Sequence, residues 1–231
     1  GDDTPQGTVL GWMPDERVDV AAAVDAEWQA TLQEWRQRPA VVLFDELPAL
    51  TARVVERLRA GGAWVGPFVA STAGLQAAFA ALALHQHASA RVRLQGHSRD
   101  YLRYFAQEVC RFYPVSPGVA ARVGDPFVWR GHRFSPGSVL LFDLPSSNRD
   151  PRSWPNAEQF RPERFNDRDG DALAWLVRET PEAARAYETW LDMLEAHVRQ
   201  LVRLHYGVPH QDLRVDVHTM PARPGSGLRV V

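Results

Sequence analysis

The 231-residue sequence predicts a mainly α fold with a small β-sheet, an α+β arrangement. Three observations predict it. Apolar residues recur at spacings of three and four through several long stretches, the pattern of amphipathic helices. Short β-type runs separated by Gly and Pro turns fill residues 118–144. Neither an internal repeat nor a low-complexity linker interrupts the chain, so one domain over 18–231 is expected after an irregular Gly-, Asp- and Pro-rich segment at 1–17.

Taken in order, Val20, Val24, Trp28, Leu32 and Trp35 outline a first helix from about Val18 to Arg38, stopped by Pro39. The run at 40–44, AVVLF, reads as a short strand. Leu47, Leu50, Val54 and Leu58 outline a second helix ending at Gly61 and Gly62, residues suited to a left-handed cap. Residues 62–84 carry no charge, yet Ala, Gly, Ser, Thr and Gln dilute their hydrophobicity, so a helix buried in a core is expected and not a membrane span. Ser98 can cap a helix whose stripe is Leu102, Phe105, Val109 and Phe112, stopped by Pro114. The runs VAARV, FVW, HRF and SVLLFDL predict a small antiparallel sheet. Pro181 opens a long helix, with Tyr187, Leu191, Leu194, Val198, Leu201 and His205 on one stripe to about Tyr206, and 213–217 alternates as a strand.

Composition narrows the function. Apolar residues at 45% and aromatic residues at 10% describe a chain able to bury a sizeable core. The net charge of −2 comes from 28 acidic and 26 basic side chains that are interspersed, which argues against nucleic acid or an anionic membrane as partner. Every basic residue is Arg, a bias spread through all segments and given no functional weight. One cysteine, Cys110, excludes an internal disulfide framework and a Cys-built zinc site, and the first twenty residues lack a signal-peptide pattern, so the cytoplasm is expected.

One combination of motifs is specific. Glu108 and Arg111 stand three apart on the predicted 98–113 helix, and downstream follow Asn148-Arg149-Asp150-Pro151, Trp154 and the run FRPERF at 160–165. Together these resemble the K helix and meander of a cytochrome P-450, a haem-thiolate protein. FAALALHQH at 79–87, YGVPHQDL at 206–213 and MPARPGSGL at 220–228 are similar to the bacterial fatty-acid peroxygenase branch. The resemblance implies a truncated cytochrome P-450-like fold in which Arg164 joins Glu108 and Arg111 in a structural ion network. Carboxylate and guanidinium groups of that kind hold a fold together because leaving any one buried and unpaired costs several kcal/mol.

The chemistry that the family performs is not matched. A haem thiolate needs a Cys on a Gly-rich loop before the last long helix, and 166–190 contains one Gly, Gly170, and no Cys. Ala184 falls near the ligand position, and Cys110 sits inside the Glu108–Arg111 helix. Where the branch uses an Arg-Pro pair to hold a fatty-acid carboxylate, this chain has Gly66-Pro67. Some twenty residues separate the region similar to the C helix from the central helix, so the roof of the family's pocket is expected to be missing, which would expose the apolar face of the 62–84 helix.

The segments bordering the family's haem slot map to Val69, Ser71, Thr72 and Gln76, to Val115, Ser116 and Pro117, and to Ser226, Gly227 and Leu228. They are candidate binding residues, with simple packing of a shrunken core as the competing reading. Histidines give no ligand set: His205 shares an apolar stripe and reads as a core histidine, and Asp143 and Asp150 read as turn residues. No nucleophile elbow, phosphate loop, dinucleotide fingerprint or zinc motif occurs, and no catalytic residue is assigned. Three functions remain open. The first is a haem-independent enzyme of bacterial specialised metabolism that performs a redox-neutral cyclisation, isomerisation or elimination on a small hydrophobic organic molecule. The second is a non-catalytic subunit whose homodimer or partner enzyme covers the 62–84 helix, and the third is a haem protein with a His ligand. On the first two neither a cofactor nor a metal site is expected, and a membrane or nucleic-acid partner is expected on none.

Overall fold

Helices built from these apolar stripes close on one another in the computed structural model, which describes residues 19–63, 65–96, 99–113, 115–116, 118–166, 181–216 and 221–231. The expected irregular segment at 1–17, together with Ser98, Pro114 and Pro117, lies outside the described residues. The first helix, α1 (Val20–Trp35), starts where the Asp19 carboxylate accepts a hydrogen bond from the Ala22 N–H at 2.9 Å and ends one turn before Pro39.

The sequence reading needs its first correction at 40–44. Only Val41 and Val42 form a strand (β1), and α2 (Leu43–Ala60) begins at once. The cause is the chain's far end. Val41 and Val42 pair antiparallel with Val230 and Arg229 of β8 (Arg229–Val230), and the Leu43 and Phe44 amides, free donors at the helix start, donate to the Leu228 and Gly227 carbonyls at 3.1 and 3.0 Å. Val42 offers no side-chain cap, so the tail supplies one.

Residues 61–66 lead directly into α3 (Pro67–Gln86). Gly74 lets this helix lie against α2, since a Cβ there would stand 2.5 Å from the Pro48 Cα. With α2, α5 and α7 (below) around it, residues 73 and 77–83 of α3 are fully buried, so its apolar body is covered within the chain and the expected exposed face is corrected. Small alanines make this possible, because they allow neighbouring helices to approach from several sides at once. Among the described residues no helix is long and apolar enough to cross a membrane.

A short helix that the periodicity did not reveal, α4 (Ala88–Gln95), precedes α5 (Arg99–Phe112), which buries Leu102, Phe105, Ala106 and Val109. The small sheet appears as separate two-stranded antiparallel ladders: β2 (Gly118–Arg122) with β5 (Val139–Asp143), and β3 (Phe127–Trp129) with β4 (His132–Phe134). A third ladder joins β6 (Val215–Asp216) to β7 (Arg223–Pro224). Asp143 caps α6 (Leu144–Arg149) by accepting from the Ser146 amide and hydroxyl at 2.9 and 2.6 Å, a turn role. The last helix, α7 (Pro181–Arg203), stops one turn earlier than its pattern suggests, because Arg91 of α4 donates to the Leu204 carbonyl at 2.5 Å.

One polar chain pins α1, α2 and α7 together. The Trp28 Nε1–H donates to His197 Nδ1 at 2.9 Å, His197 Nε2 lies 3.1 Å from Thr51 Oγ1, and Thr51 donates to the Leu47 carbonyl at 2.8 Å. This pattern fixes a neutral ring protonated on Nε2, with both nitrogens satisfied. The core histidine is thus His197, while His205 lies beyond the end of α7 and is exposed.

Complete burial lowers the His197 pKa to about 3 from an ordinary value of 6.5. The unfolded chain then binds a proton that the folded chain refuses, so this contribution to stability is present above pH 6.5 and is lost as pH falls towards about 3. Urea unfolding of the wild type is expected to lose up to about 1.4 kcal/mol per pH unit in this window. His197→Asn should flatten the profile between about pH 7 and 5, above most carboxylate titration. Parallel profiles for the two proteins would refute the role of His197.

Candidate functional site

Two regions gather the polar residues singled out by sequence. In the first, α5 turns Glu108 and Arg111 inward, with both side chains fully buried. Arg111 forms a two-pronged pair with Glu108, Nε to Oε2 and Nη2 to Oε1, both at 2.8 Å. Arg164, on the 3₁₀ turn Pro162–Phe165, reaches Glu108 at 3.1 Å. The remaining donors find backbone: Arg111 serves the Asn148, Ala157 and Gln159 carbonyls, and Arg164 serves those of Pro155, Asn156 and Gln159. Motif reading missed one member, the Arg161 amide, which donates to Glu108 Oε1 at 2.6 Å. No side-chain pattern announces a backbone donor. These bonds hold residues 148–164 onto α5.

In the second region, Phe44, Asp45 and Pro48 of α2 face Ser71, Thr72 and Leu75 of α3 across a groove of about 710 Å³, closed by Val115, Pro221 and Arg223. Arg223 pairs with Asp45 at 2.7 Å across the wall. Three of the candidate binding residues, Ser71, Thr72 and Val115, meet here. Val69 packs in the core, and Ser116 donates to the Gly118 carbonyl in a turn at 2.9 Å. Pro117 lies outside the described residues. Ser226 donates to the Asp212 carbonyl, and Gly227 and Leu228, with φ of 64° and 54°, present their carbonyls to the start of α2. A Cβ on Gly227 would come within 2.5 Å of Val42, so both the left-handed backbone and the close approach require glycine. Asp45 and Arg223, 178 positions apart, were not legible as a pair.

Gln76 is fully buried one turn beyond Thr72 on α3, and neither its amide oxygen nor its nitrogen has a protein partner. An amide left so costs about 1–3 kcal/mol of desolvation. A polar group entering from the groove would recover it.

Whether these residues suit a haem thiolate is decided by their donors. Cys110, the chain's one cysteine, is buried within α5 between Glu108 and Arg111 and offers no sulfur on a loop. His197 uses both ring nitrogens inside the core. His87 stacks on Phe160 at 4.4 Å, with burial lowering its pKa, and neither it nor exposed His85, His132 and His210 lines the groove. The described residues do not fit a haem-thiolate centre, and no cluster of three or more metal-binding side chains occurs among them.

A helical core around a buried central helix, with a Glu-Arg-Arg network clamping the segment after α6, defines the architecture of cytochromes P450. Residues 70–181 match the cytochrome P450 family model. It is 33% identical over 72 residues to cytochrome P450 monooxygenase claR of Ampulloclitocybe clavipes, covering 31% of this chain and 13% of that protein. With dimethylnonatriene synthase of Arabidopsis thaliana it shares 39% over 67 residues, 28% of this chain and 13% of the relative. The matched segment thus spans about one-seventh of these curated relatives. Among solved structures, cytochrome P450SP alpha in complex with (R)-ibuprophen superposes with a TM-score of 0.75 at 24% identity, covering 96% of this chain and 76% of that one. Ligand-free cytochrome P450 OleT superposes with a TM-score of 0.75 at 18% identity, covering 91% and 72%. At those identities the likeness establishes the fold.

Two substitutions are expected to move stability in opposite directions. Glu108→Ala leaves two guanidinium groups facing a buried void and should cost about 3–5 kcal/mol. Gln76→Leu removes an unsatisfied amide of similar length and should be neutral or stabilising by about 1 kcal/mol. Urea midpoints measure both, and a strongly destabilised Gln76→Leu protein would show that the amide has a structural partner.

Proposed function

We propose that this chain is a haem-independent cytochrome P450-fold protein of the peroxygenase branch that binds a small apolar organic molecule in the α2–α3 groove and promotes a redox-neutral change in it. The observation that carries this reading is a groove walled by Phe44, Leu75 and Val115, with the buried Gln76 amide, which has no partner among the described residues, one turn along α3 from its Thr72. The donor set supports haem independence, since neither Cys110 nor the described histidines present an axial ligand there. The similar solved proteins were captured with (R)-ibuprophen and with arachidonic acid, which supports an apolar ligand class.

Within the groove, Ser71 and Thr72 would orient the ligand's polar end, with the Gln76 amide one turn further along α3, and Asp45 is the carboxylate of the wall. Its bond to Arg223 fixes its position, so in an isomerisation an Asp45 oxygen would take the proton from one ligand carbon as the C–H electron pair shifts the double bond, and would return that proton to the carbon at the far end of the shifted bond. A second reading, a non-catalytic partner subunit, draws support from Val128 and Leu141, apolar side chains about 69% and 74% exposed on β3 and β5. That surface replaces the central helix as the place a partner would cover.

Nile red, a neutral apolar dye, should gain fluorescence on the wild type and bind at least tenfold more weakly to Thr72→Trp, which fills the groove. Titration with haemin should give no saturable Soret band. A one-to-one Soret titration would overturn haem independence, and dye binding indifferent to Thr72→Trp would overturn the groove.

A further inference from the structure

A second cavity, distinct in every lining residue from the α2–α3 groove, lies between α4, α5 and α7 and holds about 520 Å³. Its floor is apolar, made by Leu94, Leu102 and Val202, while Arg99, Arg199 and Arg203 stand round it. We infer that this cleft binds a compact organic oxyanion, a sulfate, phosphate or carboxylate group carried on a ring or short chain.

The charges there are not neutralised from within. Arg199 is tied to Glu195 at 3.3 Å, and that carboxylate, pushed towards its neutral form by burial, is shared with Arg103 at 3.2 Å. Arg99 and Arg203 have no acidic partner among the described residues, although each ends a helix beside the cleft. Three guanidinium groups with one shared, half-engaged carboxylate leave an excess of positive charge. A planar guanidinium matches an oxyanion with two parallel hydrogen bonds, and the leucine floor matches the body that carries the anion. Neither half alone would select: the rim by itself attracts any anion weakly through water, and the floor by itself any apolar molecule.

The volume limits the occupant. It lies within the range of small-molecule sites, about 300–1,000 Å³, and the net charge of −2 gives no extended basic surface for a polyanion. His205 and Gln95 complete the wall and offer further polar contacts to the anion.

Titration calorimetry with 2-naphthalenesulfonate tests the cleft, with 2-naphthylmethanol lacking the charge and methanesulfonate lacking the ring. The sulfonate should bind one to one and at least tenfold more tightly than either comparator. Arg99→Ala and Arg203→Ala should each weaken it at least fivefold, with Arg203→Lys intermediate, and Thr72→Trp in the other groove should leave it unchanged. Equal binding of a comparator, indifference to both arginine variants, or loss of binding in Thr72→Trp would overturn the inference. So would binding of deca-glutamate without binding of the sulfonate, which would assign the rim to an acidic protein segment. Failure here leaves the dye experiment on the α2–α3 groove untouched.

Discussion

The carboxylate of Glu108 is the constraint on which the irregular segment at 150–166 depends. A buried anion is tolerable only when its lone pairs are met, and here two guanidinium groups and the Arg161 amide meet them. Residues 150–166 contribute little apolar surface of their own, chiefly Trp154, Ala157 and Phe165. Their path is set because seven hydrogen bonds from Arg111, Arg164 and Arg161 can form together in one arrangement only. Arg111 also lies 5.5 Å from the Trp154 ring centroid, so the polar clamp and the small apolar cluster reinforce one another.

The helical body obeys a different rule. Alanines along α3 and the approach of Gly74 to Pro48 bring helices close, and dispersion across those short distances replaces large side chains. Polar groups inside it appear as pins: His197 joins three helices, and the tail carbonyls cap α2. Closing the body in this way divides the residues that border the haem slot in similar proteins. Some line a groove, and others became core or cap.

Periodicity made α1, α2, α5 and α7 legible because each carries one apolar stripe. It passed over α4, which buries only Ala90 and Leu94 and so has no stripe to read. It lengthened the strand at 40–44 because β-branched residues signal locally, whereas the limit at Val42 is imposed by Leu228 and Gly227, nearly 190 positions away. It chose His205 over His197 because both sit on one face eight residues apart; Arg91, from another helix, decides where that face ends. The Glu108 network was readable from its motif, but the groove pair Asp45–Arg223 and the Arg99–Arg203 rim were not. An all-arginine basic composition conceals the few arginines whose placement matters.

The scaffold and its chemistry are energetically separable. Every bond of the Glu108 network ends on protein, so its contribution to stability is the same with a ligand present or absent. The same holds for the His197 chain and the cap on α2. Gln76 illustrates the converse. Its amide, without a partner among the described residues, lowers stability slightly, a cost that a polar group reaching it would recover.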